Sequence, residues 1–414
     1  MKKQTVTVWA CVAMAACAIA APSPKWVPAE ADFVFVVQGQ PDLEHETVRV
    51  WRDALTAAGV TEGPFLLVGQ DLPVDEVVDV DDGDFARIQD AFLGKPDALG
   101  VHPAQSLTLS FSLPDEPPAE TQDSVDAVFW AGKAYGFIEN PAFDLEAANA
   151  AVDELAVRRG NVARAQQGEW QVLRVTAKGK EAIPAAPEIL GGWKPMPGGV
   201  MLVAGDDFAK AEALFAGKAP SAADDASVAR LFKPSPRATY GLLVRDVKSL
   251  LDRYLRDPEI VQQAQMAVGW LWEVRDHWLR IDIVKDSSLA FELGARAKSD
   301  LAAGTVRDTF IAYKMLLGGM IIPNVFGTPD SQSARWLMGM QCDSAGDVAT
   351  MRLSLSPAQY CDLWKEWKAI EEKQEAERHV MPAMEIEPLD DPDAEPMTEE
   401  EARAILEGID LEDK

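Results

Sequence analysis

Apolar positions along this chain fall into short strand-like runs, each leading into an Asp, a Pro or both and then into a helix with one apolar stripe. Four segments follow this order. Phe33 to Val37 precedes Pro41, after which Leu43, Thr47, Trp51, Leu55 and Ala58 stack at helical spacing and Gly59 stops the helix. Ala134 to Ile138 precedes Asp144 as a cap, with Leu145, Ala148, Val152 and Leu155 facing inward. Val200 to Ala204 precedes Asp206 or Asp207 and the stripe Phe208, Ala211, Leu214 and Phe215, closed by Gly217. Tyr240 to Val244 precedes Asp246 and then Val247, Leu250, Leu251 and Tyr254.

The carboxyl half adds hairpins. Leu279, Ile281 and Ile283 share one face of a strand, a turn follows at Lys285 to Ser288, and Leu289, Phe291 and Leu293 alternate in the return strand. A helix from about Ser299 to Leu317 comes next. A second copy is expected from a strand over Trp336 to Gln341, a turn near Asp343 to Asp347, a strand through Met351, Leu353 and Leu355, and a helix opened by Ser356-Pro357. Both copies begin with Trp-Leu, at Trp278 and Trp336, and both carry Asp-Ser at the turn, at Asp286 and Asp343, so a duplicated ββα unit and chance similarity both remain as readings. Hairpins require antiparallel pairing, so the expected fold class is α+β: tandem small domains with antiparallel sheets packed by helices.

The ends differ from the middle. Lys2 and Lys3 precede an uncharged run from Gln4 to Ala21, the layout of an export signal. Ala18-Ile19-Ala20 supplies small residues for cleavage between Ala20 and Ala21, while Met14-Ala15-Ala16-Cys17 resembles a lipobox and would make Cys17 a lipidated residue. No later stretch approaches an 18-residue apolar span, so no transmembrane segment is expected in the mature chain. The expected division is a signal peptide at 1–20, domains at 27–112, 124–256 and 257–380, a Pro-rich linker at 113–123, and an acidic tail at 381–414. The tail holds 13 acidic residues against Arg403 and Lys414, and its four prolines predict a mostly solvated extension. Within it, Thr398 and Glu401 form a capping box ahead of Ala402, Ile405, Leu406 and Ile409, a short helix that either docks on its own body or binds a partner.

Charge narrows the partners. With 39 basic against 67 acidic side chains the net charge is −28, which disfavours phosphate backbones, so no nucleic acid is expected as a ligand. At 48% hydrophobic content the chain can fill packed cores. Chemistry is sparse. His45, His102, His277 and His379 show no metal-ligand spacing, and His277 beside Asp276 reads either as a carboxylate-poised base or as a strand-edge histidine. Nucleophile elbows, phosphate loops and dinucleotide fingerprints are missing, so no catalytic residues, metal ligands or cofactor-binding residues are assigned and no cofactor is expected. The acidic run Asp75, Glu76, Asp79, Asp81, Asp82, Asp84 misplaces the Gly and the final Glu of a calcium loop and reads as a solvated loop.

Two cysteines outside the signal, Cys342 and Cys361, are expected to form a disulfide in an oxidising compartment, with two buried thiols as the alternative. Of twelve tryptophans, Trp364 and Trp367 are expected in the core of their helix; Trp270 and Trp272, two apart, cannot face the same way on a helix.

The opening Val27-Pro28-Ala29-Glu30-Ala31-Asp32-Phe33-Val34-Phe35-Val36-Val37 resembles exported bacterial proteins of unknown function that begin with Pro-x-x-Ala-x-x-Val-x-Val and continue as strand–helix repeats. That resemblance implies an envelope location, periplasmic or extracellular, and supplies no catalytic residues. The function expected is therefore a non-catalytic exported protein that binds or assembles with another envelope component. A hydrolase, perhaps glycan-directed, built from dispersed carboxylates and tryptophan platforms is the alternative.

Overall fold

The computed structural model describes residues 23–38, 41–60, 82–95, 104–114, 132–159, 162–175, 188–233, 238–255, 257–322 and 331–380. The signal positions Cys17, Ala20 and Ala21, the acidic loop residues 75–81, His102 and the tail residues Ile405, Leu406 and Ile409 lie outside them. Two compact units divide the chain, Met1–Glu366 and Trp367–Lys414; the described part of the second is residues 367–380.

Through the first unit the chain runs from β1 (Phe33–Gln38) into α1 (Pro41–Ala58), α2 (Asp82–Leu93) and β2 (Ser106–Ser112). It continues through β3 (Lys133–Glu139), α3 (Leu145–Arg159), β4 (Val162–Gln167), β5 (Trp170–Val175), β6 (Ile189–Met196) and β7 (Gly199–Ala204). Next come α4 (Phe208–Phe215), α5 (Ala226–Leu231), β8 (Ala238–Val244), α6 (Val247–Tyr254) and α7 (Pro258–Val268). A hairpin of β9 (Val274–Ile283) and β10 (Leu289–Ala297) leads to α8 (Asp300–Leu316), a π-helical turn (Leu317–Ile321) and α9 (Gln332–Met338). β11 (Gln341–Ala345), β12 (Val348–Leu355) and α10 (Pro357–Val380), of which the residues up to Glu366 belong to this unit, complete it.

Local chemistry sets the helix starts as the sequence predicts. Asp144 accepts from the amides of Glu146 and Ala147, Asp257 from Glu259 and Ile260, and Ser299 from Ala302. Asp246 caps α6 from the left-handed region, φ 44°. Asp207 stands at the cap position of α4 but makes no capping bond; its carboxylate accepts instead from Lys133 and Tyr135.

All described strands join one antiparallel sheet of twelve, in the order β11-β12-β10-β9-β8-β1-β2-β3-β7-β6-β5-β4. The α+β class holds, but the three expected domains do not have separate sheets. β1 and β2 come from 27–112, β3 to β8 from 124–256, and β9 to β12 from 257–380, yet β2 pairs with β3 and β8 pairs with both β1 and β9. The physical reason lies in β1. Its Val34, Val36 and Val37 are all buried, and a strand apolar on both faces needs neighbours on both edges and cover on both sides.

The first face carries Val37, Leu107, Ile138 and Val200 under α2 and α3, and Ile281, Ile283, Leu289 and Leu355 under Trp51 of α1 and Tyr360 and Leu363 of α10. Further along the same face, Ala295 and Ala349 lie under Val306 and Phe310 of α8. The second face places Val34, Val36, Leu243 and Trp278 under α5, and Met201, Val203 and Tyr135 under α4.

The second hairpin departs from expectation. Trp336 to Met338 are helical, because Ser331 caps α9 through the Ala334 amide at 3.0 Å and the Glu366 carboxylate accepts from the amides of Gln332 and Ser333. The strand starts only at Gln341, and the turn tightens to Gly346 and Asp347, with Gly346 at φ 55°. The Trp-Leu pairs of the two copies thus occupy a strand and a helix.

Candidate functional site

The charged residues of β9, β10 and β12 alternate with apolar ones, which puts them on the second face. In register across four strands lie Gly241, Arg280, Glu292 and Arg352, and beside them Thr239, Asp282, Ala290 and Ser354. Glu292 is the hub. Its Oε1 accepts from Arg230 Nε at 2.9 Å and from Trp278 Nε1 at 3.0 Å, and its Oε2 accepts from Arg352 Nε at 2.8 Å. Burial by itself would raise the Glu292 pKa, but the bonds from Arg230, Arg352 and Trp278 outweigh it and bring the carboxyl to about 2. Arg230 also lies over the Trp278 ring, 4.8 Å from its centroid.

Arg280 is buried and fully engaged. Its Nε donates to Asp282 Oδ1 at 2.9 Å, which also accepts from Thr239 Oγ1 at 2.7 Å, while its Nη atoms donate to the carbonyls of Arg230 and Lys233 at the end of α5. Asp276 is likewise matched, accepting from Ser227 Oγ at 2.7 Å and from the Asp246 amide at 3.2 Å. His277 is not its partner. Successive strand residues face opposite ways, so His277 lies on the first face, its Nδ1 2.6 Å from the Gly294 carbonyl, with burial pushing its pKa below the usual value.

A cavity of about 520 Å³ opens beside this ladder, lined among others by Asp282, Glu292, Arg335, Trp336, Arg352 and Gln359. α9 forms one wall and is pinned to β12 by the Trp336 Nε1 bond to the Ser354 carbonyl, 2.8 Å. Asp282 and Glu292 stand on adjacent strands of one sheet face rather than facing each other across a cleft, and their chemistry does not suit the hydrolase alternative. A glycosidase acid must keep its proton near neutral pH, whereas Glu292 is ionised down to about 2. Asp282 Oδ1 is already engaged by Arg280 and Thr239.

Comparisons with family models, curated proteins and solved structures return no match.

On the other side of α9 the surface changes character. Met338 and Leu337 pack against Gly318 of the π-helical turn. Around this junction Ile311, Met315, Leu316, Leu317, Met320, Ile321 and Met338 are exposed, Met320 to 60% and Met315 to 51%. No group of three or more metal-ligating side chains occurs among the described residues, and no described helix is long and apolar enough to cross a membrane.

Other expected positions resolve as follows. Cys342 and Cys361 are free thiols: Cys342 lies on edge strand β11 in the cluster under α8, while Cys361 points into the α1 side, its Sγ 3.6 Å from the Ala54 carbonyl. The two sulfurs thus have different surroundings, and burial raises both pKa values. Trp367 is 61% exposed and is not a core residue. Trp270 and Trp272 sit in a 3₁₀ turn (Gly269–Glu273), both half-buried, with Trp270 packed edge-on to Phe310.

The residues of the ladder were not singled out from sequence. The signal present is a charged residue at alternate places in Trp278-Leu279-Arg280-Ile281-Asp282-Ile283, a pattern that by itself reads as a strand with one solvated face.

Proposed function

We propose that this chain is an exported, non-catalytic protein of the cell envelope that docks another envelope component on the methionine-rich surface at the end of α8. The observation that carries the reading is the presence of seven large apolar side chains, each at least 37% exposed, along the last turns of α8, the π-helical turn and the end of α9. Single exposed apolar residues are ordinary, but a cluster of this kind marks interaction surfaces, and methionine adapts to a partner's shape. Support for export comes from Lys2 and Lys3 ahead of the uncharged run, and from the resemblance of residues 27–37 to exported proteins. The carboxylates that could have served catalysis are held ionised or engaged by arginines, so no observation favours the hydrolase.

Co-purification from native envelopes under mild crosslinking tests the proposal, comparing the wild type with Met315→Glu/Met320→Glu. Both methionines are exposed, so the double variant is expected to keep the wild-type melting curve. A stoichiometric partner held by the wild type and lost by the variant is the expected outcome; recovery of the same partner by both, or of none by either, contradicts it. A version ending at Val380 separates the tail's Ile405, Leu406 and Ile409 from this surface and is expected to retain the partner.

A further inference from the structure

The charges around the cavity are not all matched internally. Two arginines, Arg335 and Arg352, line it together with two carboxylates, Asp282 and Glu292, which are already bonded by Arg280 and Arg230 from outside the lining. Arg230 and Arg280 are bonded to those carboxylates and to backbone carbonyls. Arg352 gives its Nε to Glu292 and lines the cavity. Arg335 lines the same cavity, is exposed, and forms no ion pair among the described residues. In a chain of net charge −28, a guanidinium facing a cavity without a carboxylate of its own is the unusual feature.

The support beneath these groups is rigid. α9 is capped by Ser331, anchored at its amino end by Glu366 and tied to β12 through Trp336, and Arg352 is aligned by Glu292. Trp336, from α9, adds an apolar side chain to the lining. We infer that this cavity binds a small organic carboxylate, its two oxygens taken by Arg335 and Arg352 and its body lying against Trp336. The planar fork of a guanidinium matches a carboxylate with two parallel bonds, and the indole favours an organic body over a bare inorganic ion.

Titration calorimetry on the full chain, with benzoate and inorganic phosphate as separate probes, tests this. Benzoate is expected to bind saturably with a Kd on the order of 1 mM, the strength open to so small a ligand, and phosphate more weakly. Arg335→Gln is expected to weaken benzoate about tenfold or more, the loss of a charge-assisted bond, and Arg335→Lys to recover only part because the fork is gone. Absence of saturable benzoate binding, equal binding by the Gln variant, or tighter binding of phosphate than of benzoate each overturns the inference. Met315→Glu/Met320→Glu leaves the cavity residues in place and is expected to bind benzoate as the wild type does, so this site stands or falls apart from the docking surface.

Discussion

Gly294 shows how one residue without a side chain fixes a neighbourhood. It lies opposite Trp278 in the β9–β10 register, and a Cβ built there would fall 2.1 Å from the Trp278 ring. Glycine inside a strand costs roughly 0.5–1 kcal/mol in backbone freedom, so propensity alone would make Gly294→Ala stabilising. Sterics decide the sign. The indole would have to move off Glu292, with the loss of its 3.0 Å bond, and overpacking of this kind costs about 1–3 kcal/mol. Urea unfolding is expected to show Gly294→Ala with a lower midpoint than the wild type; an equal or higher midpoint would mean that the indole has room to shift. None of this is legible in the sequence, because the requirement for glycine comes from a side chain sixteen residues away that arrives only through strand pairing.

At the scale of elements, what depends on near neighbours was readable. Pro41 to Gly59, Asp144 with Leu145, Asp246 with Val247 and Ser299 with Asp300 all mark helix ends where they occur, since a cap bonds amides two or three residues away. The α9 segment reads as a strand from Trp336 although Leu337 and Met338 favour a helix, and the bonds that fix its start come partly from Glu366, 33 and 34 residues on. Ionic contacts between elements were equally hidden. Glu292 joins β10 to β12 through Arg352 and to α5 through Arg230. Because its folded pKa, about 2, lies below the ordinary 4.5, the stability it contributes is present above about pH 4.5 and is lost as pH falls toward 2. A shift of that size corresponds to at most about 3 kcal/mol. Unfolding free energies measured across this window are expected to fall steeply in the wild type and more gently in Glu292→Gln, whose stability is already lower above pH 4.5. Parallel slopes would show that the ladder does not carry the acid sensitivity.

For the molecule as a whole, β1 is the decisive element. Pairing with β2 on one edge and β8 on the other, it draws the amino-terminal segment into the middle of a twelve-stranded sheet. Composition shifts at 113–123 mark a long connection between β2 and β3 rather than a boundary between sheets, because those two strands are hydrogen-bonded across it. Long-range pairing of this kind leaves no local trace, which is why the rhythm of strand and helix was readable and the single sheet was not. The sheet also brings the cavity and the methionine-rich surface to opposite sides of α9, two features contributed by segments that carry no motif. A photo-crosslinking side chain placed at Met320 reports on docking at that surface, with one at Val157, 81% exposed on α3, as the control. In native envelopes, docking there yields one stoichiometric adduct from position 320 and none from 157. Equal adducts from both positions, or none from 320, would contradict it.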